Sequence, residues 1–70
     1  MSGHFDARFH CGAAIGLDTR LLRRIAIKPR AAMRTMEEAN DFADEMEKQW
    51  GKPCRQITMT AKWVAWWVER

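Results

Sequence analysis

Residues 35–51 constrain this chain more than any other stretch. Thr35 stands three residues before Glu38, the spacing of a capping box, in which each side chain answers the other residue's backbone amide. Met36, Ala39, Ala43, Met46 and Trp50 recur at intervals of three and four, with Phe42 widening the apolar stripe. Gly51 supplies a stop and Pro53 prevents continuation. The pattern predicts one amphipathic helix, with Glu37, Glu38, Asp41, Asp44, Glu45 and Glu47 on its opposite face.

The segments around that helix alternate with period two, which is the signature of half-buried strands. Residues 4–11 set Phe5, Ala7, Phe9 and Cys11 on one face and His4, Asp6, Arg8 and His10 on the other. Residues 12–16 read as a turn or bulged connection. Residues 19–29 admit two readings. A short helix capped by Asp18 or Thr19 would align Leu22, Ile25 and Ala26. A strand would set Leu21, Arg23, Ile25 and Ile27 against Leu22, Arg24, Ala26 and Lys28, and Pro29 favours it by disfavouring a helical Lys28. Residues 54–60 place Ile57 and Met59 opposite Gln56, Thr58 and Thr60. Residues 62–69 are apolar on both faces, Trp63, Ala65 and Trp67 against Val64, Trp66 and Val68, with the aromatic and β-branched content of a strand.

The order β-β-α-β-β predicts an α+β domain: a single antiparallel four-stranded sheet with one helix packed on one face. Phe5, Phe9, Ile25, Ile27, Met36, Ala39, Ala43, Met46, Ile57, Met59, Trp63 and Trp67 form the expected core. The chain has 70 residues, so residues 1–70 make a single domain. A domain this small buries only about 60% of the surface its unfolded form exposes. No apolar run approaches the roughly 20 residues of a membrane span. The N-terminal segment also lacks a signal-type hydrophobic core, so a cytoplasmic location is expected, with no membrane partner. In that compartment Cys11 and Cys54 are expected as two buried free thiols rather than a bridge.

His4, His10, Cys11 and Cys54 are metal-ligating residue types, but their spacing matches no zinc pattern, and His10 and Cys11 point to opposite faces of a strand. No metal and no cofactor is expected. Nucleophilic catalysis needs a nucleophile, a base and an orienting group in one cleft. Cys11 or Cys54 with His10 is the single candidate combination, and the domain is too small to promise a pocket that excludes water. No enzymatic activity is expected.

The formal charge of +3 conceals a segregation. Residues 1–34 carry +5 and residues 35–70 carry −2. On the sheet face that the helix leaves open, this reading gathers His4, Arg8, His10, Arg24, Lys28, Gln56, Thr58, Val64, Trp66 and Val68. Arg8, His10, Arg24, Lys28 and Trp66 are its candidate binding residues. Tryptophan and arginine dominate protein interfaces, and basic side chains around a ring also suit single-stranded nucleic acid. The acidic helix face, with Glu37, Asp41, Asp44 and Glu45, is a second candidate surface; like charges at i, i+4 repel unless solvated or met by a basic partner.

The element order built from HFDARFHC, RRIAIKP, TMEEANDFADEMEKQWG, CRQITMT and KWVAWWVE resembles small phage-encoded inhibitors, including some anti-CRISPR proteins. The likeness spans the whole chain and lies in size, element order and charge segregation. It implies a stoichiometric inhibitor that docks on a bacterial nucleoprotein defence complex and blocks its DNA binding or nuclease recruitment. The leading expectation is therefore a non-enzymatic protein-binding module. A small nucleic-acid-binding regulator using the sheet face is the alternative. A homodimer burying Val64, Trp66 and Val68 is the third reading.

Overall fold

The computed structural model describes residues 8–11 and 19–70. Its elements are β1 (Phe9–Cys11), β2 (Leu22–Pro29), α1 (Met36–Trp50), β3 (Cys54–Met59) and β4 (Trp63–Glu69), with single 3-10 turns at Thr19–Leu21 and Arg30–Ala32. His4, Phe5, the connection at 12–16 and the side chain of Cys11 lie outside the described residues.

The helix forms where the sequence places it. The Thr35 hydroxyl accepts the Glu38 amide at 3.1 Å. The reciprocal half of the expected capping box is displaced by one residue, because the Glu38 carboxylate accepts the Arg34 amide at 2.7 Å. Gly51 closes the helix in the left-handed region at φ 72°, its amide donating to Glu47 O at 3.0 Å. Both ends thus satisfy backbone groups that a bare helix leaves unpaired.

The four strands form one sheet in the order β1-β3-β4-β2, with helix α1 on one face. The sheet is mixed, which corrects the antiparallel expectation. β3 and β4 form an antiparallel hairpin and β4 pairs antiparallel with β2, but β1 runs parallel to β3. β2 and the helix intervene between β1 and β3, a connection long enough to return the chain in the same direction. β1 and β2 occupy opposite edges, so no hairpin joins them. The stretch at 19–28 that admitted two readings is a strand from Leu22 onward.

Two bulges flank Trp67. Register slips between Arg24 and Ala26 on β2, and between Cys54 and Gln56 on β3. Each adds one residue, Ile25 or Arg55, and breaks the alternation. Arg24 therefore lies opposite Trp67, whereas Ala26 and Lys28 lie opposite Trp66 and Val64.

The core sits between the helix and one sheet face. It comprises Met33, Ala39, Ala43, Cys54, Ile57, Met59, Val64 and Trp66, with Phe9, Ala26, Phe42 and Trp50 packed around it. Ala39 and Ala43, one turn apart and fully buried, make the helix surface flat enough for the Trp66 indole to lie against it. Trp66 Nε1 donates to Ala39 O at 3.1 Å, and the Phe42 ring stands 4.5 Å from the indole, tilted by 57°.

β4 is thus turned over relative to the sequence reading. Val64, Trp66 and Val68 were expected on the open face and are instead buried beneath the helix. Trp63, Trp67 and Ile27 were expected in the core and face the other way, with Trp63 51% and Ile27 45% exposed. Ile25, at the bulge, and Met36, in the first helical turn, are also exposed, although both were expected in the core. Val64, Trp66 and Val68 are thus already buried within the chain, so the surface expected for a homodimer is not exposed.

Candidate functional site

Each predicted site residue can now be located. Arg24 keeps its place on the uncovered face, its guanidinium 6.0 Å from the centre of the Trp67 ring. His10 pairs in register with Thr58 and shares that face. Lys28 does not: the bulge turns it to the helix side, where its ammonium lies 4.1 Å from the Phe42 ring centre. Trp66 is internal. Arg8 also departs from the open face, since it crosses to the helix and donates to Glu47 at 2.8 Å and to Asn40, with Asp44 at 3.6 Å.

That arginine has a structural task. Glu47 accepts both from Arg8 and, at 2.9 Å, from the Cys54 amide that opens β3. The strand preceding the helix and the strand following it are thereby tied to the same carboxylate. Backbone pairing adds to this, with the Ile57 amide donating to Arg8 O. Charge-assisted bonds of this kind are stronger than neutral ones.

The face turned away from the helix divides into two halves. On the β1–β3 side, Thr58 Oγ1 accepts from Gln56 Nε2 at 3.1 Å and from Trp67 Nε1 at 3.0 Å, so the Trp67 indole reaches across β3. Gln56 is fully buried, and Thr58 nearly so. Gln56 Oε1 and His10 Nε2 are both buried without a hydrogen-bond partner among the described residues. An unpaired buried polar group costs about 1–3 kcal/mol. On the β2–β4 side the surface is open and apolar. Ile27 lies opposite Ala65, Pro29 opposite Trp63, and Arg24 and Trp67 form the basic end.

The acidic helix surface is partly neutralised. Asp44 is drawn towards Arg8, and Glu38 towards Arg34 at 3.9 Å. Glu37, Asp41 and Glu45 remain exposed and form no ion pair among the described residues.

Cys54 is a buried free thiol. Burial pushes its pKa above the ordinary 9.0, against smaller opposing effects from the Gln56 backbone and the Arg8 charge. A thiol held protonated is a poor nucleophile. Among the described residues, no three His, Cys, Asp or Glu side chains converge as metal ligands would. No described helix is long and apolar enough to cross a membrane.

No protein-family model matches this chain, and neither curated proteins nor solved structures yield a match.

Sequence reasoning missed Trp63 and Ile27 as surface residues. The signal was present in β4. Its Val64–Trp66–Val68 face is wholly apolar, whereas the Trp63–Trp67 face also holds Ala65 and ends in Glu69. The more uniformly apolar face belongs inside.

Proposed function

We propose that this chain acts by binding a partner protein, without catalysis of its own, through the uncovered β2–β4 half of its sheet. One observation carries this reading. Trp63 and Ile27 lie exposed on the same side of the sheet, beside a basic end formed by Arg24 and Trp67. Exposed apolar patches rimmed by polar groups mark interaction sites, and buried tryptophan and arginine anchors dominate binding energy. The small size, the β-β-α-β-β order and the segregated charge suit a phage-type stoichiometric inhibitor, anti-CRISPR-like, acting on a bacterial nucleoprotein complex. The partner in this reading is one subunit of such an assembly.

Affinity capture with the tagged chain tests the surface directly. The wild type should retain a defined protein that Trp63→Ser loses. If Trp63→Ser retains the partner and charge reversal at Asp41 and Glu45 loses it, the docking surface is the helix and the sheet assignment is wrong.

A nucleic-acid-binding regulator is the second reading, favoured by two indoles and an arginine on one sheet face. Two placements weaken it. Lys28 points to the helix side, and Trp67 is tied to Thr58, which leaves Trp63 as the open ring. Oligonucleotide titration at low salt, followed by tryptophan fluorescence, separates the readings: a quench lost in Arg24→Glu supports nucleic acid.

A further inference from the structure

The outer edge of β2 has a chemistry that the face alone does not explain. Among the described residues β2 ends the sheet, with β4 on its inner side and no strand beyond it. The bonds Arg30 N to Lys62 O at 2.7 Å and Arg70 N to Leu21 O at 3.4 Å fix the phase of the β2–β4 ladder at both ends. In an antiparallel pair, residues alternate between bonding inward and pointing outward. The register therefore turns the amides of Leu22 and Ile27, and the carbonyls of Ile27 and Pro29, away from β4. Such an edge is a template for another strand.

The charge along it is of one sign. Residues 19–35 hold six basic side chains (Arg20, Arg23, Arg24, Lys28, Arg30 and Arg34) and no acidic one. Arg34 meets Glu38, and Arg30 meets the Met33 carbonyl. Arg23 and Arg24 are exposed and make no ion pair among the described residues. Two copies of β2 paired with each other would bring these arginines together without a counter-charge, and like charges across strands are destabilising. A nucleic acid could meet the arginines but has no amide ladder to offer Leu22 and Ile27. A polypeptide carrying carboxylates satisfies both.

We infer that β2 receives an extended acidic segment of a partner protein as an added strand. The segment's carboxylates lie near Arg23 and Arg24, and an apolar side chain rests beside Ile27 and Trp63. Main-chain bonds supply the pairing, and the side chains supply the selection, as in strand addition generally. This deepens the protein-binding reading above and rests on it.

The test uses two capped octapeptides, one repeating Val-Val-Glu-Glu and one repeating Val-Val-Lys-Lys, so that each face of the added strand carries both residue types and can meet Arg23 on one side and Arg24 on the other, together with an oligothymidylate. Amide resonances of the isotopically labelled full chain report the contact. The glutamate peptide should shift Leu22 and Ile27 and slow their hydrogen exchange. It should bind about tenfold more tightly than the lysine peptide, the ratio expected when two surface charge contacts change from attraction to repulsion. The double variant R23E/R24E should reverse that preference, and Ile27→Pro, which removes an outward amide at an edge position, should abolish the protection.

Equal binding of the two peptides, no response at Leu22 and Ile27, or preference for the oligothymidylate overturns the inference. So does a concentration-dependent dimer that protects the same amides. If Trp63→Ser loses the captured partner while Ile27→Pro retains it, strand addition fails and the protein-binding reading stands. If neither variant affects capture, both fail.

Discussion

Replacing Trp66 tests the central assignment of the fold, because β4 is apolar on both faces and the expected core set Trp63 inside and this residue outside. Trp66 is fully buried, touches Phe42 and donates to the Ala39 carbonyl. Truncating a buried tryptophan to alanine costs about 3–5 kcal/mol. At about 0.05–0.15 kcal/mol per residue, a domain of this size has roughly 4–10 kcal/mol in total. Trp66→Ala should therefore leave a chain at or near the edge of unfolding. Trp66→Phe is the measurable variant: it keeps an aromatic ring but loses the Nε1–H bond and part of the ring volume, for about 1–2 kcal/mol. Trp63→Ala, with half of its side chain already in water, should cost less than about 1 kcal/mol. Urea denaturation followed by far-ultraviolet circular dichroism gives both values without relying on the fluorescence of the residues replaced. A shift of about 4–8 °C in Tm per kcal/mol provides a second readout. If Trp63→Ala destabilises more than Trp66→Phe at equal m-value, β4 faces the other way and the docking surface has been drawn on the wrong side.

Three further outcomes follow from individual sites. Gln56→Leu removes an orphaned carbonyl oxygen together with one bond to Thr58, so stability should hold or rise by up to about 2 kcal/mol in the same denaturation assay; a loss above about 1 kcal/mol would show that Oε1 is satisfied. Gly51→Ala should cost about 1 kcal/mol through backbone strain alone, since φ is 72° and an added Cβ meets nothing within 4 Å, and Gly51→Asn should cost less. Because the Cys54 pKa is raised in the fold, the stability it contributes is complete below the unfolded value of 9.0 and is lost as pH rises from there through the folded value. Melts between pH 8 and 11 should show a decline that Cys54→Ala lessens, and native Cys54 should react with iodoacetamide far more slowly than the urea-unfolded chain.

Local signals in this chain are legible where one residue decides them. Thr35, Gly51 and Pro53 mark the helix ends because caps and stops act over one turn, and Pro29 selects strand for the segment before it. The facing of Ile57 and Met59 is also readable, since β3 alternates cleanly from Gln56 onward. The four-stranded sheet with one helix was also readable, but the pairing direction and the bulges, which depend on a neighbouring strand, were not. The bulge at Ile25 places Arg24 and Lys28 on opposite faces although they are four apart, and no property of residues 22–29 announces it. It exists because β2 must match β4. The parallel pairing of β1 likewise depends on where β3 lies once the helix has turned the chain. Arg8 looked like a surface strand residue because its partners Asn40, Asp44 and Glu47 lie more than thirty positions away. The sheet-face site was accordingly legible only in part: Arg24 and His10 lie on the expected face, while Arg8, Lys28 and Trp66 do not.

The charge segregation visible in the sequence serves two ends that the fold separates. Arg8 spends its charge internally, holding Glu47 and Asp44 so that β1 and β3 meet the helix at a common point. Arg23 and Arg24 remain outside, on the edge where a basic strand also discourages pairing with its own copy. The exposed carboxylates of Glu37, Asp41 and Glu45 could attract that edge in a second molecule, but they are carried on a helix. A helix offers no extended backbone to the Leu22 and Ile27 amides, so such a contact would rest on charge alone and fade with added salt. Head-to-tail copies of this kind would also fail to close into a symmetric assembly. On the reading proposed above, the arrangement therefore favours an unlike partner over a like one.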